Sequence, residues 1–518
     1  MTATPTPAPA ADDPPFRPIG ELVREHANAR PDAPALVEGD TVLRWRELDA
    51  LMDRIAASLQ RDGVRPGEAV LLAGAMTATQ AAVFLGALRA GAVVAPLATS
   101  VTADTFASMR RDAAPRRLFV DEQAAPLVDA ADHAACVALD GAAPGVRFED
   151  WLAPPGSVPR PVAIGPEDPF NIIYSSGTTG EPKGIVQPHG MRFAHIRRGA
   201  GYGYGPHGAT LLSTPLYSNT TLVVFFPTLA YGGTVHLMRK FEAGRWLALA
   251  ARHRITHTML VPVQYRRLLH HPDFDRHDLS SFQAKFCTSA PFPAELKAEV
   301  LRRWPGGLIE FYGMTEGGGT CILEAHRHPD KLHTVGRPAQ GHDIRLIDEA
   351  GVEVGPGAAG EVVGRSAGMM TGYHGRPDKT REAEWFSPEG LRFIRTGDVG
   401  RFDADGFLSL LDRKKDLIIS GGFNIYPSDL EAVLREHAAV HEAAVVGVPS
   451  AEWGETPVAF VETNAGAAAT GDALREWVNA RVGKTQRLAA VVVVDELPRS
   501  AIGKVLKREL RDRYTAGR

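Results

Sequence analysis

Residues 69–97 read AVLLAGAMTATQAAVFLGALRAGAVVAPL, and this run limits the possible folds more than any other stretch. It is apolar enough to raise the question of a membrane span. However, Thr77, Thr79, Gln80 and Arg89 interrupt it, and Gly74 and Gly91 divide it. A span needs about 20 continuous apolar residues. A buried strand, a helix stopped at Gly91 and a second buried strand fit the pattern. No integral membrane segment is therefore expected. Strands apolar along their whole length, alternating with helices, belong to largely parallel sheets covered on both faces. The alternation returns in ATLLSTPL (209–216), GTVHLM (233–238), a helical pattern over 243–254 and the apolar ITHTMLVP (255–262).

The texture changes after Gly360. GEVVGRS and VGRFDADGFLSLLD, with the Asp405-Gly406 turn, read as antiparallel hairpins. Beyond the charged run 412–416 come a helix over 427–440, a strand over 442–449, a helix over 471–482 and a strand over 489–498. The expected fold class is α/β. A large N-terminal domain (16–412) holds mixed, largely parallel sheets with helices plus a β-rich subdomain. A small α+β domain (413–518) follows. Residues 1–15, rich in Ala, Pro and Thr, read as a disordered tail with no secretory signal.

With 518 residues the chain exceeds one ordinary core. Its 57 basic and 61 acidic residues give a net charge of −4, which offers nothing to nucleic acid. Cys136, Cys287 and Cys321 are far apart and form neither a disulfide framework nor a zinc site, so a reducing, cytoplasmic setting is expected.

YSSGTTGEPKG, Tyr174 to Gly184, follows the apolar strand PFNIIYS. Small residues let a backbone approach a ligand closely, successive amides form an anion-binding nest, and Lys183 adds a point charge. The chemistry suits a triphosphate. A Walker A loop needs Gly-Lys followed by Ser or Thr, whereas Lys183 is preceded by Pro182 and followed by Gly184. Ser175, Ser176, Gly177, Thr178, Thr179, Gly180 and Lys183 are the candidate phosphate ligands.

Four further motifs follow in order: FYGMTEGG (311–318), RTGDVG (395–400), DRKKDLIISGG (412–422) and LPRSAIGKVLKREL (497–510). Together with the glycine-rich loop they resemble the adenylate-forming superfamily of acyl- and aryl-CoA ligases, luciferase-like enzymes and adenylation domains. The resemblance implies a carboxylic acid:CoA ligase that uses ATP, Mg²⁺ and coenzyme A. The acid attacks the α-phosphate, pyrophosphate leaves, and a thiol then displaces AMP. It further implies that Tyr312 stacks on adenine beside Gly313 and that Ser289, Ala290 and Pro291 line the adenine and acyl sites. Thr315 would bind the α-phosphate and Glu316 the metal, with the flanking glycines making room for the nucleotide. Asp398 and Arg413 would take the ribose, and Lys415 would be the hinge. Lys504 would be the catalytic cation of the first half-reaction. Gly421 and Gly422 would turn toward the thiol in the second, while Lys507 and Arg508 would be solvated.

The same resemblance implies that Tyr217, Ser218 and Asn219 fall in the acyl pocket, where many members of the superfamily carry a histidine in place of Ser218. No acidic residue lies between Leu216 and Phe226, so an α-amino acid would leave its ammonium unpaired. An uncharged, medium-size aliphatic, alicyclic or aromatic acid is expected, taken by a monomer or homodimer. The alternatives are an enzyme that loads a carrier protein and a catalytically degenerate nucleotide-binding homologue.

Overall fold

The 69–97 run folds as strand β1 (Ala69–Ala73), helix α1 (Ala78–Arg89) and strand β2 (Val93–Leu97). The two strands are buried at every residue and pair in parallel from Ala69↔Val93 to Ala73↔Leu97. Thr77 opens α1 by accepting the Gln80 amide at 3.0 Å, and Gly91, at φ +75°, turns the chain back. Among the described residues no helix is long and apolar enough to cross a membrane.

The computed structural model describes residues 14–175, 182–413, 416–420, 423–450, 453–464, 466–483, 486–499 and 505–516. These belong to two units. One holds the chain up to Leu332 with Pro338–Ile344 and Gly364–Ile394; the other holds His333–Arg337, Arg345–Val363 and everything from Arg395 on.

The N-terminal unit carries two large sheets. In the first, β1 lies between β2 and β3 (Arg117–Val120), and β2 pairs on its other side with β4 (Pro169–Ser175), all in parallel. The sheet then reverses: β5 (Lys183–Pro188) runs antiparallel to β4 and leads into helix α2 (His189–Gly199). The second sheet contains β6 (Ala209–Leu212), helix α3 (Asn219–Ala230) behind it, and β7 (Thr234–Leu237). It continues through β8 (His257–Leu260), β9 (Ala284–Cys287) and β10 (Gly307–Tyr312), again parallel. Strand β11 (Cys321–Glu324) returns antiparallel to β10, so FYGMTEGG lies on the connection between them. A continuous apolar core joins α1, α3 and the inner faces of both sheets, with Phe84, Phe170, Phe225 and Phe226 at its centre. Strand β12 (Gly372–Tyr373) adds to the free edge of β5.

The continuous part of the second unit begins within β13 (Arg392–Phe402) at Arg395. β13 pairs with β14 (Leu408–Arg413) across the expected turn, where Gly406 has φ +79°. Then come helix α4 (Pro427–Arg435), β15 (Val440–Ser450), β16 (Gly454–Thr463), helix α5 (Gly471–Asn479), β17 (Ala490–Val494) and helix α6 (Lys507–Ala516). Strand β16, which the sequence reading omits, is the hub: it pairs antiparallel with β15 and parallel with β17. Leu430, Leu434, Leu474 and Val478 cover one face of this sheet, and Leu497 and Leu510 the other.

Candidate active site

The glycine-rich segment connects two antiparallel strands, with Ser175 at the end of β4 opposite Lys183 at the start of β5. A strand-to-strand hairpin differs from the strand-to-helix turn of a Walker loop, in keeping with the sequence. Ser176, Gly177, Thr178, Thr179 and Gly180 lie outside the described residues, so the loop is defined here by its base. That base is braced. The Tyr174 hydroxyl donates to Asp112 Oδ2 at 2.7 Å, His374 Nδ1 lies 3.6 Å from the same oxygen, and the His374 amide donates to the Gly184 carbonyl at 2.7 Å. Gly184 is required there, because a Cβ would sit 2.8 Å from Ile172 Cγ2 and 3.0 Å from Asp112 Oδ2. Burial pushes the Asp112 carboxyl up, but hydrogen bonds from His374 and Tyr174 outweigh it and hold the group below its usual value. The hydrogen bond to Asp112 raises His374 in turn.

Tyr373, beside that histidine, joins two candidate ligands 133 residues apart in the chain, Lys183 and Glu316. Its hydroxyl donates to Glu316 Oε1 at 2.9 Å, and the Lys183 ammonium stands over its ring at 5.1 Å from the centroid. Burial, reinforced by the Glu316 charge, raises the phenol well above its ordinary value, so it stays a donor. The Met370 amide donates to the Glu316 carbonyl at 2.7 Å, and Gln187 Nε2 donates to the Thr315 carbonyl at 2.6 Å. The motif loop is thus pinned residue by residue. Its glycines serve a purpose the sequence reading assigned elsewhere. Gly317 (φ +77°) and Gly318 (φ +87°) pack on the chain's own backbone, where a Cβ would fall 2.0 Å from the Gly368 carbonyl and 2.7 Å from that of Gly364. They make room for the chain itself.

Tyr312 ends β10 half-buried, with Gly313 exposed beside it. The candidate acyl-pocket residues stand at the start of α3. Ser218 is its N-cap, accepting the Thr220 amide at 3.3 Å, and Asn219 Oδ1 accepts from Arg192 at 2.7 Å. Burial raises the Tyr217 phenol, against the opposing effect of Ser100. Thr220 Oγ1 lies 2.5 Å from Ser289 Oγ. Ser289, followed by Ala290 and exposed Pro291, leaves β9 at φ +81°, a conformation that non-glycine residues adopt at a cost and that collects at binding sites.

In the second unit the candidate ribose ligands meet: Arg413 Nε lies 2.9 Å from Asp398 Oδ1, across the β13–β14 pair. Arg395, of the same RTGD motif, grips buried Glu361 through two nitrogens, at 3.1 and 2.5 Å. Thr396 donates to the Val362 carbonyl at 2.8 Å and accepts the Asp398 amide at 3.0 Å. Lys507 is not solvated as the sequence reading had it. It pairs with Glu431 at 2.8 Å, and the charges of Glu431 and Asp412 overcome burial to keep its ammonium raised. Arg508 is exposed. Lys415, Gly421, Gly422 and Lys504 lie outside the described residues.

The profile of the AMP-binding enzyme family matches residues 23–374, and that of the AMP-binding enzyme C-terminal domain matches residues 429–504. The chain belongs to the AMP-binding enzyme family. It is an AMP-forming acid–thiol ligase of the acyl-CoA synthetase kind. This AMP-binding enzyme is 33% identical to the feruloyl-CoA synthase of an Amycolatopsis species over 505 residues, 96% of this chain and 99% of that one. It is 32% identical to the fatty acid–[acyl-carrier-protein] ligase ScoC of Streptomyces coeruleorubidus, over 94% and 95% of the two chains. The crystal structure of ATP-bound MatB from Rhodopseudomonas palustris superposes with a TM-score of 0.86 at 28% identity, covering 96% of this chain and 99% of that one.

Three residues of this AMP-binding enzyme escaped the sequence reading. Tyr373 and Glu361 meet their partners only through strand pairing, far along the chain. Arg192 has a different history: PHGMRFAHIRR offers nothing to distinguish a buried arginine from solvated ones.

Proposed function

We propose that this protein activates an uncharged, medium-size aliphatic, alicyclic or aromatic acid and transfers it to the thiol of coenzyme A. One carboxylate oxygen of the acid attacks the α-phosphorus of ATP. The bond to the bridging oxygen breaks, and pyrophosphate leaves. The sulfur of the thiol then attacks the acyl carbon, AMP departs, and the thiol proton passes to solvent. Both steps need charge screening and alignment rather than a covalent protein intermediate.

The observation that carries this reading is the meeting of Lys183 and Glu316 on Tyr373. It sets a cation at the mouth of the phosphate hairpin and a carboxylate on the adjoining loop. Glu316, with one oxygen held by Tyr373, fits a Mg²⁺ ion bound mainly by phosphate and water, which would supply charge neutralisation when present. Thr315 meets the α-phosphate, and Tyr312, Gly313, Ser289, Ala290 and Pro291 face adenine and the acyl group. Asp398 accepts from the ribose hydroxyls beside Arg413. Residues 413–518 act as the lid, turning on Lys415 to bring Lys504 to the α-phosphate and then Gly421 and Gly422 to the thiol. The apolar α3, with no carboxylate in its first turn, supports an acid without an ammonium.

A carrier-protein thiol is the second reading, favoured by the likeness to ScoC. Pyrophosphate release over a panel of acids, with and without CoA, tests both. Acid-dependent release with turnover on CoA supports the first. A single turnover that resumes only with an acyl carrier protein supports the second, and no acid-dependent release refutes both.

A further inference from the structure

Arg192 of α2 is 1% exposed, and among the described residues no carboxylate pairs with it. Every partner is neutral. Nη1 donates to Asn219 Oδ1 at 2.7 Å and lies 3.5 Å from His195 Nδ1; Nη2 donates to Gln187 Oε1 and lies 3.5 Å from Asn171 Oδ1. Burial draws the guanidinium down to about 9, which leaves it charged at neutral pH.

The acceptors come from the segments that face the ligands. Asn171 and Gln187 sit opposite each other on β4 and β5, the strands that carry the 176–181 connection. Because Arg192 occupies the Gln187 oxygen, the amide nitrogen points to the Thr315 carbonyl, 2.6 Å away. Asn219 opens the pocket helix α3, and its neighbour Thr220 reaches Ser289 at 2.5 Å. One cation therefore ties together the phosphate hairpin, the Thr315 loop and the start of the acyl pocket.

As core filling this arrangement is poor. Arg192 Nε and Asn171 Nδ2 have no acceptor among the described residues. A half-satisfied buried polar network is less stable than an apolar one of the same shape. What a rigid fork of donors supplies instead is geometry.

We propose that Arg192 is a positioning residue for adenylation, fixing the Thr315 carbonyl through Gln187 and the first turn of α3 through Asn219, so that α-phosphate and carboxylate meet at a set separation. The proposal rests on Thr315 and residues 217–219 serving ATP and the acid. A displacement of about 1 Å at a reacting centre costs up to about 100-fold in rate.

The test is the double variant Gln187→Leu/Arg192→Leu, which removes the cation together with its chief acceptor. Melting temperature, acid-dependent exchange of pyrophosphate into ATP, and thioester formation from presynthesised acyl-adenylate are measured side by side. The expected result is a melting temperature near that of the wild type and an exchange kcat lowered about 10- to 100-fold. KM for ATP and thioester formation should each change by less than about threefold, since only the alignment of attack is lost. Exchange at the wild-type rate in a stable double variant would reduce Arg192 to core filling and overturn the proposal. Gln187→Met alone, which cuts the link between Arg192 and Thr315 while leaving Arg192 its bond to Asn219, should lower exchange kcat in the same way. Wild-type exchange by that variant overturns the proposal even if the double variant does not fold. If wild-type protein exchanged with no acid at all, the underlying reading would fall, and the proposal with it.

Discussion

Replacing Tyr373 by phenylalanine removes one oxygen and leaves the ring. The lost interaction is the 2.9 Å hydrogen bond to Glu316, while the 5.1 Å stacking of Lys183 remains. A hydrogen bond to a charged group contributes about 1.5–3 kcal/mol, and about 1.4 kcal/mol is a factor of ten. Glu316 is only half-buried, so water replaces part of the interaction and the lower end applies. Acid-dependent pyrophosphate release, titrated with Mg²⁺ at fixed ATP, should therefore fall about tenfold. Tyr373→Leu, which also removes the stacked ring, should cost a further factor of about 2 to 5, from the roughly 0.5–1 kcal/mol of an exposed cation–π contact. The double variant Tyr373→Phe/Glu316→Gln should be no worse than Glu316→Gln alone, because once the carboxylate is gone Tyr373 has no charge left to orient. Full activity of Tyr373→Phe, or losses that multiply in the double variant, would refute the idea that Tyr373 acts by orienting Glu316.

The Asp112–His374 brace makes stability depend on pH. His374 is raised above 6.5 in the folded state, so its contribution is complete below pH 6.5 and fades as pH rises through the folded value. Asp112 is depressed below 3.8, so its part is lost only when pH falls below that. The excess melting temperature of wild type over His374→Gln should be largest between pH 3.8 and 6.5 and shrink above it; a difference that grew with pH would contradict the pairing. Gly317→Ala should lose about 1–3 kcal/mol from its left-handed backbone alone, before the clash with the Gly368 carbonyl, and urea unfolding reads the loss. Gly313→Ala, whose Cβ would stand 3.3 Å from Thr320 Oγ1, should be milder. Lys504→Ala should nearly abolish adenylate formation while sparing thioester formation from presynthesised acyl-adenylate, and equal loss in both would refute its role.

Much of the fold could be read from periodicity. The 69–97 unit, the parallel strands 209–212 and 257–260 and the 405–406 hairpin turn all follow from apolar runs punctuated by glycine. Strand β16 was missed because it opens Gly-Glu-Thr-Pro, which locally reads as a loop; its place between β15 and β17 is set by tertiary pairing. The motifs singled out Lys183, Glu316, Asp398 and Arg413 as candidates. They did not show what holds each one, because the holders come from distant strands: Tyr373 for Glu316, Gln187 for Thr315. Gly317 and Gly318 show the same limit. Their need was visible, but the backbone they accommodate lies about fifty residues ahead.

The reaction itself is tested most directly by exchange of labelled pyrophosphate into ATP, with a panel of carboxylic acids and no thiol present. Label should enter ATP only when a suitable acid is added, and Glu316→Gln should reduce the rate sharply. Exchange with no acid, or ATP cleavage to ADP with none of the acids giving label, would contradict the assignment of these residues to acyl-adenylate formation.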